Sequence, residues 1–366
     1  MNIISIFNNK GGVGKSTLTY HLGYAFSEMG KKVLLVDLDP QSNLTLYGLT
    51  EEQLELIWDK EDPFIEDFYS AKRKYSKENF LEFQKSHHSV HYLLKPVEDG
   101  ESDEDILPEP VILNNNLGLI PGRLTLHMFE SKISKQWSDA FLGEPQAIRT
   151  VTAIRRKCEE YAEQYGYEII LIDTSPSLSA LNKVIICTSD SFIIPCAPDM
   201  FSDYGIRNIG NSLSIWKKEL ETMFSLLTDS KRKYFPAKFV KLLGYTIYNA
   251  KKRSDASNSL KVAQAHANHA ARLPSTIRNY IPESCYDFLG YEKIKISIGS
   301  NSLIHSHNTL PTVSQKYKLP MWKIPDYPNL DEDKSTIKGN ASDYHDTKLK
   351  YIKFAKDVLR RLEALK

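Results

Sequence analysis

The sequence predicts an α/β fold: a doubly wound, mostly parallel sheet with helices on both faces. Three observations carry that prediction. Short, nearly continuous apolar runs recur, among them IISIF (3–7), KVLLVDLD (32–39), YEIILIDTSPS (167–177), DSFIIPCAP (190–198) and FVKLLGYTIYNA (239–250), and such runs suit strands buried on both faces. Stretches with helical apolar spacing alternate with them. A glycine-rich segment, NNKGGVGKST (8–17), stands where the first strand passes into the first helix. With 366 residues, 41% hydrophobic and 25% charged, the chain has the make-up of an ordinary globular protein and the length for one large α/β domain over 1–366.

The elements follow in order. After the strand at 3–7, Leu18, Leu22, Ala25, Phe26 and Met29 keep helical spacing, so a helix runs from Ser16 to about Met29 and Gly30 stops it. The apolar run at 32–39 is the second strand. Residues 51–110 break the pattern: EEQLELIWDK and KENFLEFQK read as helices, and the acidic, proline-bounded EDGESDEDILPEP reads as an exposed loop. LGLIPG (117–122) resumes as a strand, a helix covers Ala147–Tyr165 up to Gly166, and three more strands follow at 167–177, 190–198 and 239–250. Beyond Lys251, VAQAHANHAARL reads as a helix, EKIKISIG as a strand and Leu319–Asn340 as a loop. An amphipathic helix closes the chain over 343–366, with Leu349, Ile352, Ala355, Leu359 and Leu362 on one face. No internal repeat is present.

Charge is unevenly distributed. The net charge of +1 does not mark a nucleic-acid binder, but residues 51–110 hold 17 Asp/Glu against 7 Lys/Arg, so an acidic insert at −10 sits on a body at +11. Residues 231–253 carry eight Lys/Arg and no acid, clustered as Lys231, Arg232, Lys233 and Lys251, Lys252, Arg253. Cys158, Cys187, Cys196 and Cys285 form no C-x-x-C pair and lie in apolar surroundings, as reduced, buried thiols of a cytoplasmic protein do. No leader pattern opens the chain, and no run of eighteen apolar residues predicts a membrane span.

The strand–loop–helix context is the one a phosphate-binding loop needs. Gly11, Gly12 and Gly14, with Val13 between them, let the backbone turn its N–H groups toward phosphate oxygens at a helix N-terminus. Lys15 is placed to bridge the β- and γ-phosphates, Ser16 to offer its hydroxyl to Mg²⁺, and Thr17 to reach the α-phosphate. The loop carries a second lysine, Lys10, which reads by itself as a solvated side chain. Two apolar strands also end in carboxylates: Asp37 and Asp39 at the end of one, Asp173 at the end of the other. Buried strand ends of that kind are costly unless donors or a cation meet them, although Asp also favours caps and turns.

The loop departs from G-x-x-x-x-G-K-[ST], because Asn9 stands at the first glycine and the run is K-G-G-V-G-K-S. This resembles the deviant Walker A loop of the ParA/MinD family of ATPases. The resemblance implies a P-loop NTPase fold, ATP and Mg²⁺ as ligands, and a homodimer formed with ATP. Lys10 then reaches across the dimer to the other subunit's phosphates, much as an arginine finger does. LLVDLDPQSN (34–43) resembles the family's switch segment, giving Asp39 the attacking water and Asp37 a supporting place at Mg²⁺. IILIDTSPS (169–177) resembles Walker B and gives Asp173 a Mg²⁺-bound water, while GYTIYNAKKR (244–253) gives Asn249 the adenine. The resemblance covers 1–50, 117–250 and the last 25 residues. It departs in the long acidic insert, in Ile298-Gly299-Ser300-Asn301 where the family has Ile-Pro-Arg-Asn, and in having no helix-turn-helix before the loop.

Members of the family read out the ATP dimer differently. A ParA-like protein binds DNA without sequence preference, works on the nucleoid with a ParB-like or other adaptor protein, and moves plasmids, chromosome regions or other cargo. The basic clusters at 231–233 and 251–253 fit that mode. A MinD-like protein uses a closing amphipathic helix on membrane; here Asp357 and Glu363 interrupt that helix and bulky anchors are few. A regulatory member acting through protein partners alone is the other alternative. Iron–sulfur carriers need a cysteine pair in exposed loops, and bacterial tyrosine kinases a tyrosine-rich tail; neither pattern is present.

Overall fold

The computed structural model describes residues 1–101, 106–250, 258, 262–300, 304–305 and 309–365. One eight-stranded sheet organises them: β1 (Asn2–Ile6), β2 (Val33–Leu38), β3 (Val111–Asn114), β4 (Leu117–Ile120), β5 (Ile169–Thr174), β6 (Ser191–Cys196), β7 (Lys241–Ala250) and β8 (Ile304–His305). The order is β3-β4-β2-β5-β1-β6-β7-β8, parallel throughout except for the β3–β4 pair. Strand β1 therefore lies between β5 and β6, with Ile4 opposite Leu171 and Ser191.

Why the apolar runs are continuous is visible in the packing. Ile3, Leu34 and Ile170 enter the core on one face of the sheet, under the helices His127–Phe141, Pro145–Tyr165, Ala180–Thr188 and Met200–Leu226. Their neighbours Ile4, Leu35 and Leu171 enter the other core, with the helices Lys15–Glu28 and Ala341–Glu363. Side chains alternate along a strand, so two covered faces demand apolar residues at every position. All four cysteines are buried and free. Among the described residues no helix is long and apolar enough to cross a membrane.

The 51–99 region forms four helices, Glu51–Glu66, Phe68–Lys72, Lys77–Lys85 and Val90–Asp99. Phe64, Phe68, Phe80 and Tyr92 give it an aromatic cluster of its own. A buried acid fastens it: Glu61 accepts from the Ser89 N–H and hydroxyl (both 2.5 Å) and from Arg123 Nη1 (3.0 Å), with His88 Nδ1 at 3.1 Å. Arg123 also donates to the Trp58 carbonyl (3.0 Å), and Trp58 Nε1 donates to the Gly122 carbonyl (3.2 Å).

Four expectations are corrected. EKIKISIG is not a strand: Tyr291–Ile294 is a helical turn, Lys295 N–H bonds to Tyr291 O, and Ile294 and Ile298 are buried while Ile296 is exposed. A strand would carry all three on one face. Leu319–Asn340 is not plain loop; it holds the 3₁₀ turn Met321–Asp326 and the short helix Lys334–Gly339 around a small core of Met321, Ile324, Leu330, Ile337 and Tyr344. The closing helix buries Tyr344, Tyr351, Phe354, Ala355, Val358 and Leu362, whereas Leu349 is exposed. Of the expected stripe, Ala355 and Leu362 are buried and Ile352 and Leu359 pack partly on the core, while Tyr344, Tyr351 and Phe354 add the aromatic contact that rotates the buried face away from Leu349. In EDGESDEDILPEP, Glu98 and Asp99 end a helix and Leu107 and Pro108 are buried; residues 102–105 lie outside the described ones.

His21 joins the last segment to the first helix. Its Nδ1 lies 2.7 Å from Thr17 O, and its Nε2 accepts the Met321 N–H at 3.2 Å. The ring stacks on Tyr351 (5.2 Å) and meets Trp322 edge-on (5.7 Å). Burial pushes its pKa down to about 4, against a smaller upward pull from the Thr17 carbonyl. The unfolded chain thus binds the proton between pH 6.5 and 4 while the folded chain does not, so stability rises with pH in that window and is lost as pH falls through it. Urea unfolding at pH 7 and pH 4 is expected to show the wild type losing about 3 kcal/mol more than His21→Phe; equal losses would mean that His21 is not held neutral.

Candidate active site

The loop begins where β1 ends. Asn8 is buried, donates to Pro195 O (2.7 Å) at the end of β6 and accepts from the Lys10 N–H (3.0 Å). Gly14 has φ +78°, and a Cβ there would lie 2.0–2.5 Å from the Tyr248 ring. Only glycine meets both demands. The helix starts at Lys15, so the loop N–H groups and the helix N-terminus face one cavity of about 260 Å³. Gly11, Gly12, Gly14, Lys15, Ser16 and Thr17 line it from the loop. Asp39, Asn43, Tyr47, Pro176 and Gln315 line it from elsewhere. Val13, expected among the binding residues, is buried and is not part of the wall.

The carboxylates stand on neighbouring strands. Asp37 and Asp173 are direct partners in the β2–β5 register. Asp37 Oδ2 accepts from the Thr45 N–H (2.8 Å) and hydroxyl (2.7 Å), and Oδ1 accepts from the Asp39 N–H (3.2 Å). The Thr45 hydroxyl in turn accepts from the Gly122 N–H (2.7 Å). Asp173 Oδ1 accepts from the Thr19 hydroxyl (3.3 Å), while its Oδ2 is buried without a hydrogen-bond partner. Burial raises the Asp37 pKa, and the Asp173 charge raises it further. Burial also raises that of Asp173, with Ser16 and Lys15 pulling the other way. Lys15 is lowered by burial and held up by Asp173 and Asp39. Two acids confined this way gain most from a cation.

The orphaned Asp173 oxygen, close to the Ser16 hydroxyl, fits a hydrated divalent cation. Mg²⁺ keeps several waters and takes one or two carboxylates with substrate phosphates, so a protein cage is not required. Among the described residues no group of three His, Cys, Asp or Glu side chains forms one. Asp39 differs from its neighbours: it lies on the cavity wall, and its Oδ1 accepts only a local N–H, from Gln41 (3.0 Å).

Lys10 does not point into solvent. Its ammonium group is paired with Asp199, the N-cap of the helix Met200–Leu226, and lies 5.6 Å from the Phe201 ring centroid. Thr17 shares a hydrogen bond with the Tyr47 hydroxyl (2.9 Å). The structure thus brings together Lys15, Ser16, Thr17 and Asp39 at the cavity, with Asp37 and Asp173 beneath it. The Asn249 side chain and Lys251, Lys252 and Arg253 lie outside the described residues. Lys231, Arg232 and Lys233 precede β7, away from the cavity; Lys231 donates to Gly143 O (2.6 Å) and Arg232 pairs with Asp229 (3.3 Å). Sequence reasoning missed Thr45, Tyr47, Asp199 and Gln315. Thr45 and Tyr47 sit just past the Asp39 segment, which was the available signal; nothing local marks Gln315 or Asp199.

Comparison with known proteins bears on this geometry. A family profile described as an AAA domain (AAA_31) matches residues 1–226. An uncharacterized protein of Methanocaldococcus jannaschii is 30% identical over 57% of this chain and 63% of its own length. The sporulation initiation inhibitor protein Soj of Bacillus subtilis is 29% identical over 60% of this chain and 68% of its own. The match thus spans about two thirds of these relatives. The structure of pNOB8 ParA superposes with a TM-score of 0.55 at 20% identity, covering 99% of this chain and 98% of that one. That protein has also been solved bound to nonspecific DNA. At such identity the structural likeness carries the fold, a mostly parallel sheet flanked by helices.

Thr45 is the node between the buried acid and the 122 loop. Thr45→Val keeps the shape but removes a donor to Asp37 and the acceptor of the Gly122 N–H, and is expected to destabilise the protein by roughly 2 kcal/mol. Thr45→Ser is expected to melt close to the wild type. Equal melting of the valine and serine variants would show that the hydroxyl is not holding the acid.

Proposed function

The chain belongs to the ParA/Soj-type ATPases, and we propose from that premise that it binds ATP with Mg²⁺, dimerises face to face around the nucleotide, and binds DNA without sequence preference in the ATP state. Its work is the partition of a plasmid or chromosome region, or the positioning of another cargo, driven by slow ATP hydrolysis that a ParB-like or other adaptor protein speeds. The observation that carries the reading is the two-lysine glycine loop at the end of β1, flanked by the strand-end acids of β2 and β5.

In this reading the loop N–H groups and Lys15 hold the β- and γ-phosphates, and Thr17 turns from Tyr47 to the α-phosphate. The Ser16 hydroxyl, the free oxygen of Asp173 and, behind them, Asp37 hold the hydrated Mg²⁺. That ion, when bound, supplies positive charge against the phosphates. Asp39, on the cavity wall, accepts a hydrogen bond from the attacking water and orients it. Lys10 leaves Asp199 and neutralises charge on the partner's phosphates. Asn249, at the exit of β7, contacts the adenine. Leu178, Met200, Phe201 and Tyr204 are exposed apolar side chains near this edge, and a second copy covers them. The basic clusters at 231–233 and 251–253 meet DNA phosphates, as the nonspecific DNA complex of pNOB8 ParA encourages. The apolar face of the closing helix is spent on the helix Lys15–Glu28 and the core beneath, which disfavours a MinD-like membrane role. The acidic surface of the 51–110 insert is the adaptor's docking face. The setting is the cytoplasm, on the nucleoid.

Two measurements test this. Lys10→Ala is expected to bind ATP as well as the wild type but to lose ATP-dependent dimerisation in sedimentation and at least tenfold in turnover; wild-type turnover in the variant would reduce Lys10 to a partner of Asp199. Binding of a random-sequence duplex is expected with ATP, but not with ADP or without nucleotide, and to weaken steeply with salt. Binding that ignores the nucleotide would sever the ATPase from the DNA role.

A further inference from the structure

A second concave site lies away from the phosphate loop. It is a cleft of about 380 Å³ between the helix Pro145–Tyr165 and the turn after the helix Met200–Leu226, and it shares no lining residue with the loop cavity. Arg149 and Arg156 face it from the helix; Lys231 and Lys233, with Ser230 and Tyr234, face it from the turn. Among the described residues no carboxylate lines it. Arg149 donates to the neutral Gln146 amide (2.5 Å), Lys231 to the Gly143 carbonyl, and Lys233 lies 5.3 Å from the Tyr234 ring centroid. These contacts hold Arg149, Lys231 and Lys233 in place without cancelling their charge. Like charges around one concave surface focus a positive potential and draw in an anion.

We infer that this cleft seats the sugar–phosphate backbone of DNA. Arg149 and Arg156 are seven residues apart on one helix face, about 10 Å along the axis, and the lysines lie across from them. That spread suits a run of phosphates better than one compact anion. Cations spaced in this way suit phosphate oxygens, contacts that set position and carry no sequence information. Sequence alone marked 231–233 as basic; the fold adds the two arginines and makes a patch into a cleft. The inference rests on the DNA reading above and gives it a location.

The test uses the full chain with ATP and Mg²⁺, a labelled random-sequence duplex, and salt between about 50 and 200 mM, the range over which phosphate contacts are resolved. The variant is Arg149→Gln with Lys233→Gln; both side chains are exposed and neither touches the phosphate loop, so ATP binding and turnover without DNA serve as the control for folding. The expected result is duplex affinity weaker by roughly tenfold per cation removed at about 0.1 M salt, with the slope of log affinity against log salt smaller by about 2. Unchanged affinity and slope, with the wild type binding normally, overturns the cleft and leaves the DNA reading standing. Loss of binding in Lys251→Gln with Lys252→Gln and Arg253→Gln, and none in the cleft variant, moves the contact to the other cluster and likewise overturns it. A wild type that binds no duplex in any nucleotide state overturns the DNA reading and the cleft together.

Discussion

The arrangement depends on two carboxylates buried side by side. Asp37 and Asp173 sit at the ends of β2 and β5, wholly removed from solvent. Such a pair is expensive in a protein interior unless donors and cations surround it. The neighbourhood is organised to supply them. Thr45 gives Asp37 two donors, Thr19 gives Asp173 one, and Lys15, on the cavity wall, is attracted by the charges of Asp173 and Asp39. One carboxylate oxygen is left without a partner. A site that carries an unmet acid beside a buried lysine is poised to gain from a ligand that brings a divalent cation and phosphates together.

The same node ties distant parts of the chain to the cavity. Thr45 links Asp37 to Gly122, Gly122 links to Trp58, and Arg123 next to it anchors Glu61 within the 51–99 helices. The acidic segment therefore carries more than surface charge. One of its acids is a buried fastening, and its first helix reaches within two hydrogen bonds of the Thr45 node. On the other side of the first helix, His21 and Trp322 clamp the 310–326 segment down, which brings Gln315 to the cavity wall. The phosphate loop is thus enclosed by residues from both ends of the chain.

Lys10 has one setting within the subunit and, in the proposed dimer, a second. Within the subunit its charge is met by Asp199, which also caps the helix Met200–Leu226 through the Ser202 N–H. Any contact made across a dimer must compete with that pair. A part-exposed ion pair of this kind is weak in water, so in the proposed cycle exchanging Asp199 for a phosphate would cost little.

What the sequence determined by itself was local and periodic. Continuous apolar runs gave the strands because two covered faces leave no polar positions, and GGVGKS between strand and helix marked the cavity because only a short glycine-rich turn can aim N–H groups at a helix N-terminus. The acids at 37, 39 and 173 were legible for the same reason: each ends an apolar run. The tertiary structure alone decided the rest. EKIKISIG alternates like a strand yet folds as a turn, because Ile294 and Ile298 find the core while Ile296 does not. Leu349 belongs to an apolar stripe on paper and faces water, because Tyr351, Phe354 and Val358 fit the groove against the first helix. Asp199 beside Lys10, Gln315 over the loop, and Arg149 and Arg156 opposite Lys231 and Lys233 are pairings between residues far apart in sequence. No spacing rule reaches across such distances; only the way the strands order themselves in one sheet brings those side chains together.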